Sequence, residues 1–98
     1  MKKILMIVVL GTLAMGNDFC TDVSSLAKTV MSARQSGVSV TKAMKIMMKG
    51  NEKSAMGELI EEMIINAYSK PKYFGEKMQR TESIEFANLY YVTCKRAK

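Results

Sequence analysis

The chain has 98 residues, which is enough for one small domain and too few for two. Apolar residues make up 48% and charged residues 24%, a composition typical of folded globular proteins and not of disordered ones. The formal net charge is +6, and the chain contains neither His nor Trp. The lack of His excludes sites built on an imidazole base or on His metal ligands, and with them most small enzymes.

The N-terminal segment has the parts of a secretory signal peptide. Two lysines follow the first Met, residues 4–13 are almost all apolar, and Ala14 and Gly16 supply the small residues of a cleavage site. The apolar stretch is shorter than the roughly 20 residues that a membrane-spanning helix needs. We therefore predict that residues 1–16 are removed on export and that residues 17–98 form a single helical domain of net charge +4, because two basic residues and no acidic ones are lost. The alternatives are an uncleaved N-terminal anchor and an ordinary amphipathic first helix.

Apolar spacing predicts two helices in the first half of the remaining chain. In the first, over residues 18–35, apolar side chains recur at intervals of three and four and form one stripe of Phe19, Val23, Leu26, Val30 and Ala33. Gly37 should end this helix, because glycine readily adopts the left-handed conformation of a C-terminal cap. Ser39 is expected to cap a short second helix over residues 40–49. The apolar side of that helix carries Met44, Met47 and Met48.

Two further helices are predicted in the second half. Asn51 is expected to cap the third, which carries paired apolar residues at every fourth position and ends before Pro71. These pairs are Ala55-Met56, Leu59-Ile60, Met63-Ile64 and Ala67-Tyr68. The fourth helix should run from near Phe74 to about Cys94, with an inward side made of Met78, Ile84, Ala87, Tyr91 and Cys94. No segment alternates like a β-strand, so the prediction is an all-α fold, a small four-helix bundle with short loops.

The two cysteines stand at opposite ends of the predicted bundle. Cys20 lies in the first turn of the first helix and Cys94 in the last turn of the last helix. In an oxidising compartment they can form one intramolecular disulfide, which we predict. The bridge would span 74 positions, which the chain-entropy model values at roughly 4–5 kcal/mol of stability. The alternatives are two buried free thiols or an intermolecular disulfide.

The chain offers little catalytic chemistry. Glu58 and Glu62 on the third helix, and Glu82 and Glu85 on the fourth, are spaced as pairs that could act as acid and base. Their place opposite the apolar stripes favours a solvated face instead. No calcium loop, HExxH helix, P-loop or GxSxG elbow occurs. Of the ten methionines, Met1, Met6 and Met15 fall in the predicted signal peptide. Most of the others are expected to pack in the core, because copper sites built on Met usually have His partners. The sequence predicts a protein that is not an enzyme and needs no metal or other cofactor.

Basic residues mark a possible contact surface on the second helix. Lys42, Lys45 and Lys49 recur on one face, opposite the methionines. Such a surface suits nucleic acid, anionic lipid or an acidic protein. Export argues against nucleic acid, and one short helix would bind a membrane only weakly. The alternative is that these lysines serve solubility alone.

The segment between the third and fourth helices is the predicted recognition surface. Tyr is a common interface anchor, and Tyr73 is expected to be the most exposed of the four tyrosines because it lies in this loop beside Pro71. Of the neighbours Tyr90 and Tyr91, which project about 100° apart on a helix, only one should face inward. The predicted partner-binding residues are Lys70, Lys72, Tyr73, Phe74 and Tyr90.

Four segments carry a resemblance to known proteins. They are Cys20-Thr21-Asp22-Val23, Ser32-Ala33-Arg34-Gln35-Ser36-Gly37-Val38-Ser39, Ala67-Tyr68-Ser69-Lys70-Pro71, and Glu85-Phe86-Ala87-Asn88 followed by Tyr91 and Cys94. In these segments and in its layout the chain resembles small exported two-cysteine helical proteins of phages, prophages and their bacterial hosts. The resemblance covers essentially the whole chain after the signal peptide. It implies no particular activity, so no functional residue is transferred from it.

Taken together, these features favour a binding protein of the cell envelope. We expect an inhibitor, immunity or exclusion factor that blocks a periplasmic or envelope protein by surface contact, and periplasmic immunity and inhibitor proteins are similarly small helical exports. One alternative is an acid-stress periplasmic chaperone, a class similar in being small, exported, helical and held by one disulfide, although with more closely spaced cysteines. Such a chaperone should lose compact structure at low pH. The second alternative is a membrane-surface-binding protein.

Overall fold

The fold is all-helical. A computed structural model describes the backbone of residues 2–97 and the side chains of residues 19–97. Its helices are α1 (Lys2–Gln35), α2 (Val40–Met47), α3 (Ala55–Tyr68) and α4 (Glu76–Arg96). No strand occurs between residues 2 and 97, and the predicted all-α class is confirmed. The predicted signal peptide, residues 1–16, lies outside the residues whose side chains are described. Within the described part of the chain, no helix combines the length and the apolar character needed to cross a membrane.

The N-terminal caps of α2 and α3 show one correct prediction and one wrong one. Ser39 caps α2, because its hydroxyl oxygen accepts the backbone N–H of Lys42 at 3.2 Å. For α3 the predicted cap, Asn51, is wrong: the cap is Ser54, whose hydroxyl oxygen accepts the N–H of Gly57 at 2.9 Å. The carbonyl of Asn51 instead lies against the first turn of α3. A Cβ built at Gly57 would come within 1.7 Å of that carbonyl oxygen, so only glycine permits this close approach.

Helix α1 ends at Gln35 and, as the sequence predicts, Gly37 follows as its C-terminal cap. This residue has φ +90°, a left-handed conformation that favours glycine. Its N–H donates to the carbonyl of Arg34 at 3.1 Å, and the N–H of Val38 donates to the carbonyl of Ala33 at 3.0 Å. This pair of hydrogen bonds defines a Schellman motif, which satisfies the carbonyls at the end of the helix.

The core is built around the second half of α1. Helix α4 packs along α1, α3 packs on α1, and α2 lies mainly against α3. The apolar face predicted for α3 is confirmed, since Ile60, Met63, Ile64 and Ala67 are all buried. The expected packing role of the methionines is also confirmed for most of the described ones. Met31 and Met63 are fully buried, and Met44, Met47, Met48 and Met56 pack against the core.

The inward face of α4 differs from the prediction. Met78, Ile84 and Tyr91 are exposed, and the buried residues of the helix are Ser83, Phe86, Ala87 and Tyr90. Ser83 occupies a place that a purely apolar pattern would give to Ile84, because its hydroxyl accepts a hydrogen bond from Ser32 of α1 at 3.1 Å. Burial of a hydrogen-bonded serine pair costs little free energy. With Ser83 facing the core, the next residue along the helix, Ile84, faces outward. The first helix differs less from its prediction. Phe19 of the predicted apolar stripe is 45% exposed, whereas its neighbour Cys20 and the nearby Ala27 are buried.

The predicted disulfide between Cys20 and Cys94 is present and joins α1 to α4. The two Cα atoms lie 5.6 Å apart, and Cys20 is fully buried. The helices run antiparallel from this bridge, and the hydroxyl of Ser24 donates to the carbonyl of Ala87 at 3.1 Å further along. The bridge therefore fixes one end of the α1–α4 pair.

Candidate functional site

The predicted recognition segment is the loop between α3 and α4, residues 69–75, hereafter the α3–α4 loop. It lies at the C-terminal end of α1 and is held there by Gln35, which is only 2% exposed. The side-chain N–H of Gln35 donates to the carbonyl of Pro71 at 2.9 Å, and its side-chain carbonyl accepts the N–H of Tyr73 at 2.8 Å. The buried side-chain amide of Gln35 thus holds the loop backbone through both its N–H group and its oxygen.

Arg34 adds a second attachment beside the first. Its Nε donates to the carbonyl of Lys70 at 3.0 Å, and its guanidinium carbon lies 5.4 Å from the centre of the Tyr68 ring. The Tyr68 hydroxyl in turn donates to the carbonyl of Val38 at 2.8 Å. Burial raises the pKa of Tyr68, and the charge of Arg34 opposes that rise in part. The hydroxyl therefore stays protonated and keeps its donor role at neutral pH.

Helix α4 completes the attachment from the other side. The side-chain N–H of Gln79 donates to the carbonyl of Tyr73 at 2.7 Å. Both backbone polar groups of Tyr73 are therefore bonded to side chains of neighbouring helices, with Gln35 on one side and Gln79 on the other. A loop held in this way loses little conformational entropy when it binds a partner.

The loop exposes Phe74 and not Tyr73. Phe74 is 92% exposed, while Tyr73 is half-buried; because Tyr91 is exposed, the expectation that Tyr73 is the most exposed of the four tyrosines is wrong. The physical reason is the double attachment of the Tyr73 backbone, which keeps that residue against the bundle while its neighbour projects outward. Lys72 is exposed and Lys70 half-buried. An aromatic ring flanked by basic residues therefore stands at the tip of the loop.

Tyr90, which the sequence analysis assigned to the exposed surface, is buried. It is only 9% exposed, and its hydroxyl oxygen accepts the side-chain N–H of Asn66 at 2.7 Å. Burial raises the pKa of Tyr90, the hydrogen bond from Asn66 opposes this, and the charge of Glu62 adds to it. Tyr90 thus links α4 to α3, and Tyr91 is the outward-facing member of the pair, with Lys95 Nζ 5.7 Å from its ring centre.

The predicted basic surface on α2 is in place. Lys42, Lys45 and Lys49 are all exposed. The methionines opposite them pack against the core, so they are not free to enter a membrane surface. Ile46 is the exposed large apolar residue of α2 that lies among the lysines. Helix α2 therefore has a charged outer face that also carries Ile46, a second exposed apolar residue, Val40, at its start, and an inner face of methionines packed against the core.

A groove that the sequence analysis did not anticipate opens between α3 and α4 near the disulfide, hereafter the α3–α4 groove. Its volume is about 410 Å³, and its walls include Phe19, Val23, Leu59, Glu62, Tyr90 and Thr93. Phe19, which the apolar stripe of the first helix assigns to the core, lines this groove and is 45% exposed. The outward turn of this predicted core residue could be seen only once the helices were packed.

Of the four carboxylates noted as acid–base pairs, three are exposed and Glu82 is half-buried. Glu58, Glu61 and Glu62 are exposed on α3, and Glu85 is exposed on α4. Among residues with described side chains, no group of three or more acidic, Cys or His residues is arranged to hold a metal ion.

Comparison of the chain with protein-family models, with curated proteins and with solved structures gave no significant match.

Proposed function

We propose that this protein is exported to the cell envelope and acts there by one-to-one contact with a periplasmic or envelope protein, as an inhibitor, immunity or exclusion factor. The observation that carries the proposal is the exposure of Phe74 on a loop whose backbone is fixed by Gln35, Arg34 and Gln79. We propose this loop as the contact surface.

The energetic argument concerns the ring. A phenyl side chain left in water forgoes roughly 1.5–3 kcal/mol of burial free energy, and a partner that covers it recovers this amount. Because the loop is already held in shape, little of that gain is spent on ordering it. Aromatic residues presented rigidly at the centre of a contact are the usual anchors of protein–protein interfaces. Lys72, an exposed residue two positions before Phe74 in the chain, favours an acidic rim on the target.

Export rests on the predicted signal peptide, residues 1–16, and is supported by the disulfide, which persists in oxidising compartments. Mass spectrometry of the protein recovered from the periplasm should show a chain that begins at Asn17. A protein retained in the cytoplasm with all 98 residues would contradict the export part of the proposal.

The contact surface is tested by photo-crosslinking in the intact periplasm of the host. A photo-reactive amino acid replaces Phe74 in one strain and Ile46, another exposed apolar residue on α2, in the control strain. We expect one protein other than a second copy of this chain to be captured from position 74 at near-equal stoichiometry and not from position 46. Many captured proteins that increase at low pH would favour the chaperone alternative, and captured lipid without protein would favour the membrane alternative.

The proposal also requires that binding of the captured protein depends on the Phe74 ring. With the purified target, Phe74→Ala should weaken affinity by about 30-fold or more, the range expected for an anchor residue. Ile46→Ala, the matched control, should leave affinity unchanged. Equal affinity of the Phe74→Ala variant and the unmodified protein would remove the α3–α4 loop as the contact surface.

A further inference from the structure

The α3–α4 groove is an apolar site whose rim carries acidic side chains. It is lined by Phe19 and Val23 of α1, by Leu59 of α3 and by Tyr90 of α4. The volume of about 410 Å³ exceeds that of an engineered apolar cavity of about 150 Å³ that binds benzene. A phenyl ring therefore has ample room in it.

The charged side chain in the lining of the groove, Glu62, is acidic, although the chain as a whole is basic and Lys95 and Arg96 precede the lining residue Ala97 on α4. Two further depressions share Glu62 with the groove. All charged side chains that line these three depressions are carboxylates, namely those of Glu58, Glu61 and Glu62. The chain as a whole carries a formal charge of +6. A ligand that suits this site is an aromatic or other apolar group with cationic neighbours.

The chain itself presents such a group at its opposite end. Phe74 is 92% exposed, and Lys70 and Lys72 precede it in the α3–α4 loop. The loop is bonded to α1 at Gln35, whereas the groove begins at Val23. At 1.5 Å per residue these two positions are about 18 Å apart along the helix, so Phe74 cannot reach the groove of its own chain.

We propose that Phe74 of one copy docks in the α3–α4 groove of a second copy, with the lysines of the loop facing the carboxylates on the groove rim. The two surfaces are at different ends of the molecule, so the contact is head-to-tail. Such a contact repeats from copy to copy and produces a ring or an open chain of subunits. The inference goes beyond the proposed function, and it is tested on purified protein with no target present.

The test uses two variants that each remove one half of the contact. Phe74→Ala keeps the groove and lacks the ring, whereas Thr93→Trp keeps the ring and fills the groove from an exposed position on its wall. The controls are Ile46→Ala and Val92→Trp, which alter exposed apolar residues outside both surfaces. All are expressed from the full chain and checked by circular dichroism, and mass is measured by sedimentation velocity at rising concentration.

We expect the unmodified protein and both controls to form dimers and larger species, and each one-sided variant to associate at least about 30-fold more weakly. When the two one-sided variants are mixed, one free ring meets one free groove, and a 1:1 dimer that grows no further should appear. Higher salt should weaken association, and so should Glu62→Lys, a second groove variant at an exposed position. The proposal is overturned if the unmodified protein stays monomeric, if the mixed variants fail to pair, or if Val92→Trp acts like Thr93→Trp.

Discussion

Gln35 does more for the candidate site than any other single residue. It is a polar side chain at the end of α1, 2% exposed, and all of its polar atoms have partners. Besides the two loop bonds, its N–H group lies 3.5 Å from the sulfur of Met31. A buried amide is stable in a core only when it is bonded in this way. The shape of the loop that carries Phe74 therefore depends on a residue that does not itself face solvent.

The first prediction follows from this residue. Gln35→Ala removes the partners of the Pro71 carbonyl and the Tyr73 N–H, and we expect a loss of about 1–3 kcal/mol of unfolding free energy. The amide of Tyr73 should also exchange with solvent much faster, which hydrogen exchange by NMR measures. Ser36→Ala, at an exposed position one residue away, is the control and should change neither quantity. Unchanged exchange at Tyr73 in the Gln35→Ala variant would show that the loop is held by other contacts.

At the scale of the helices, patterning predicts best where one face is purely apolar. Helix α3 carries such a face, and its buried residues Ile60, Met63 and Ile64 lie where the repeated pairs place them. The inward face of α4 could not be found in this way, because Ser83 in its buried row is polar and its hydroxyl accepts a hydrogen bond from Ser32, 51 positions earlier in the chain. A single sequence does not show which serine finds a partner.

The candidate site follows the same division. The loop could be located because Pro71 ends the third helix pattern and the next pattern starts some residues later. Which aromatic residue of the loop is exposed depends on the hydrogen bonds that Gln35 and Gln79 make with the backbone of Tyr73. Neither glutamine has a distinctive spacing in the sequence that would predict such a bond. The groove depends on how α3 and α4 sit on α1, which no local pattern encodes.

The second prediction concerns the link between α3 and α4. The pKa of Tyr90, like that of Tyr68, is raised above the ordinary value of 10.0 by burial. A raised pKa in the folded state means that the protonated hydroxyls stabilise the fold fully below the unfolded pKa. This contribution is lost as the pH rises through the folded pKa. The free energy of unfolding should therefore fall above pH 10.0.

The measurement is urea unfolding as a function of pH, from neutral to alkaline. The Tyr68→Phe and Tyr90→Phe double variant should be less stable than the unmodified protein at neutral pH, because the bonds to Val38 and Asn66 are lost. It should also lose less stability on the alkaline side. Tyr91→Phe, which changes an outward-facing ring, serves as the control and should retain the full alkaline loss. Parallel pH profiles for the double variant and the control would contradict the assignment of this loss to the buried tyrosines.

At the scale of the whole molecule, the two proposed contacts, one with a target and one with a second copy, use the same residue. Phe74 is the anchor in the proposed target complex and also in the proposed head-to-tail contact. Each use covers the same ring, so one chain cannot do both at once. Addition of the target should therefore dissociate the head-to-tail assembly. Conversely, assembly should lower the apparent affinity of the protein for the target. The α3–α4 groove at the other end stays available in a target-bound chain.

The two ends of the molecule are also held together by different means, and the third prediction separates them. The end that carries the α3–α4 loop is fixed by hydrogen bonds, whereas the groove end is fixed by the disulfide between Cys20 and Cys94. Over 74 positions, the bridge is worth roughly 4–5 kcal/mol in the chain-entropy model. A domain of this size has a total stability of only about 5–10 kcal/mol. Loss of the bridge should thus bring the fold close to its limit.

We expect a reductant, or the double substitution Cys20→Ala and Cys94→Ala, to lower the midpoint of thermal unfolding by roughly 20 °C or more. Ser24→Ala removes a single hydrogen bond at the same α1–α4 contact and is the matched control, with an expected loss of only about 1 kcal/mol. The reductant should have no further effect on the double variant, which shows that it acts through this bridge. An unchanged midpoint on reduction would mean that packing of α4 along α1 holds the groove end without the disulfide. The bridge would then not be what makes so small a domain stable.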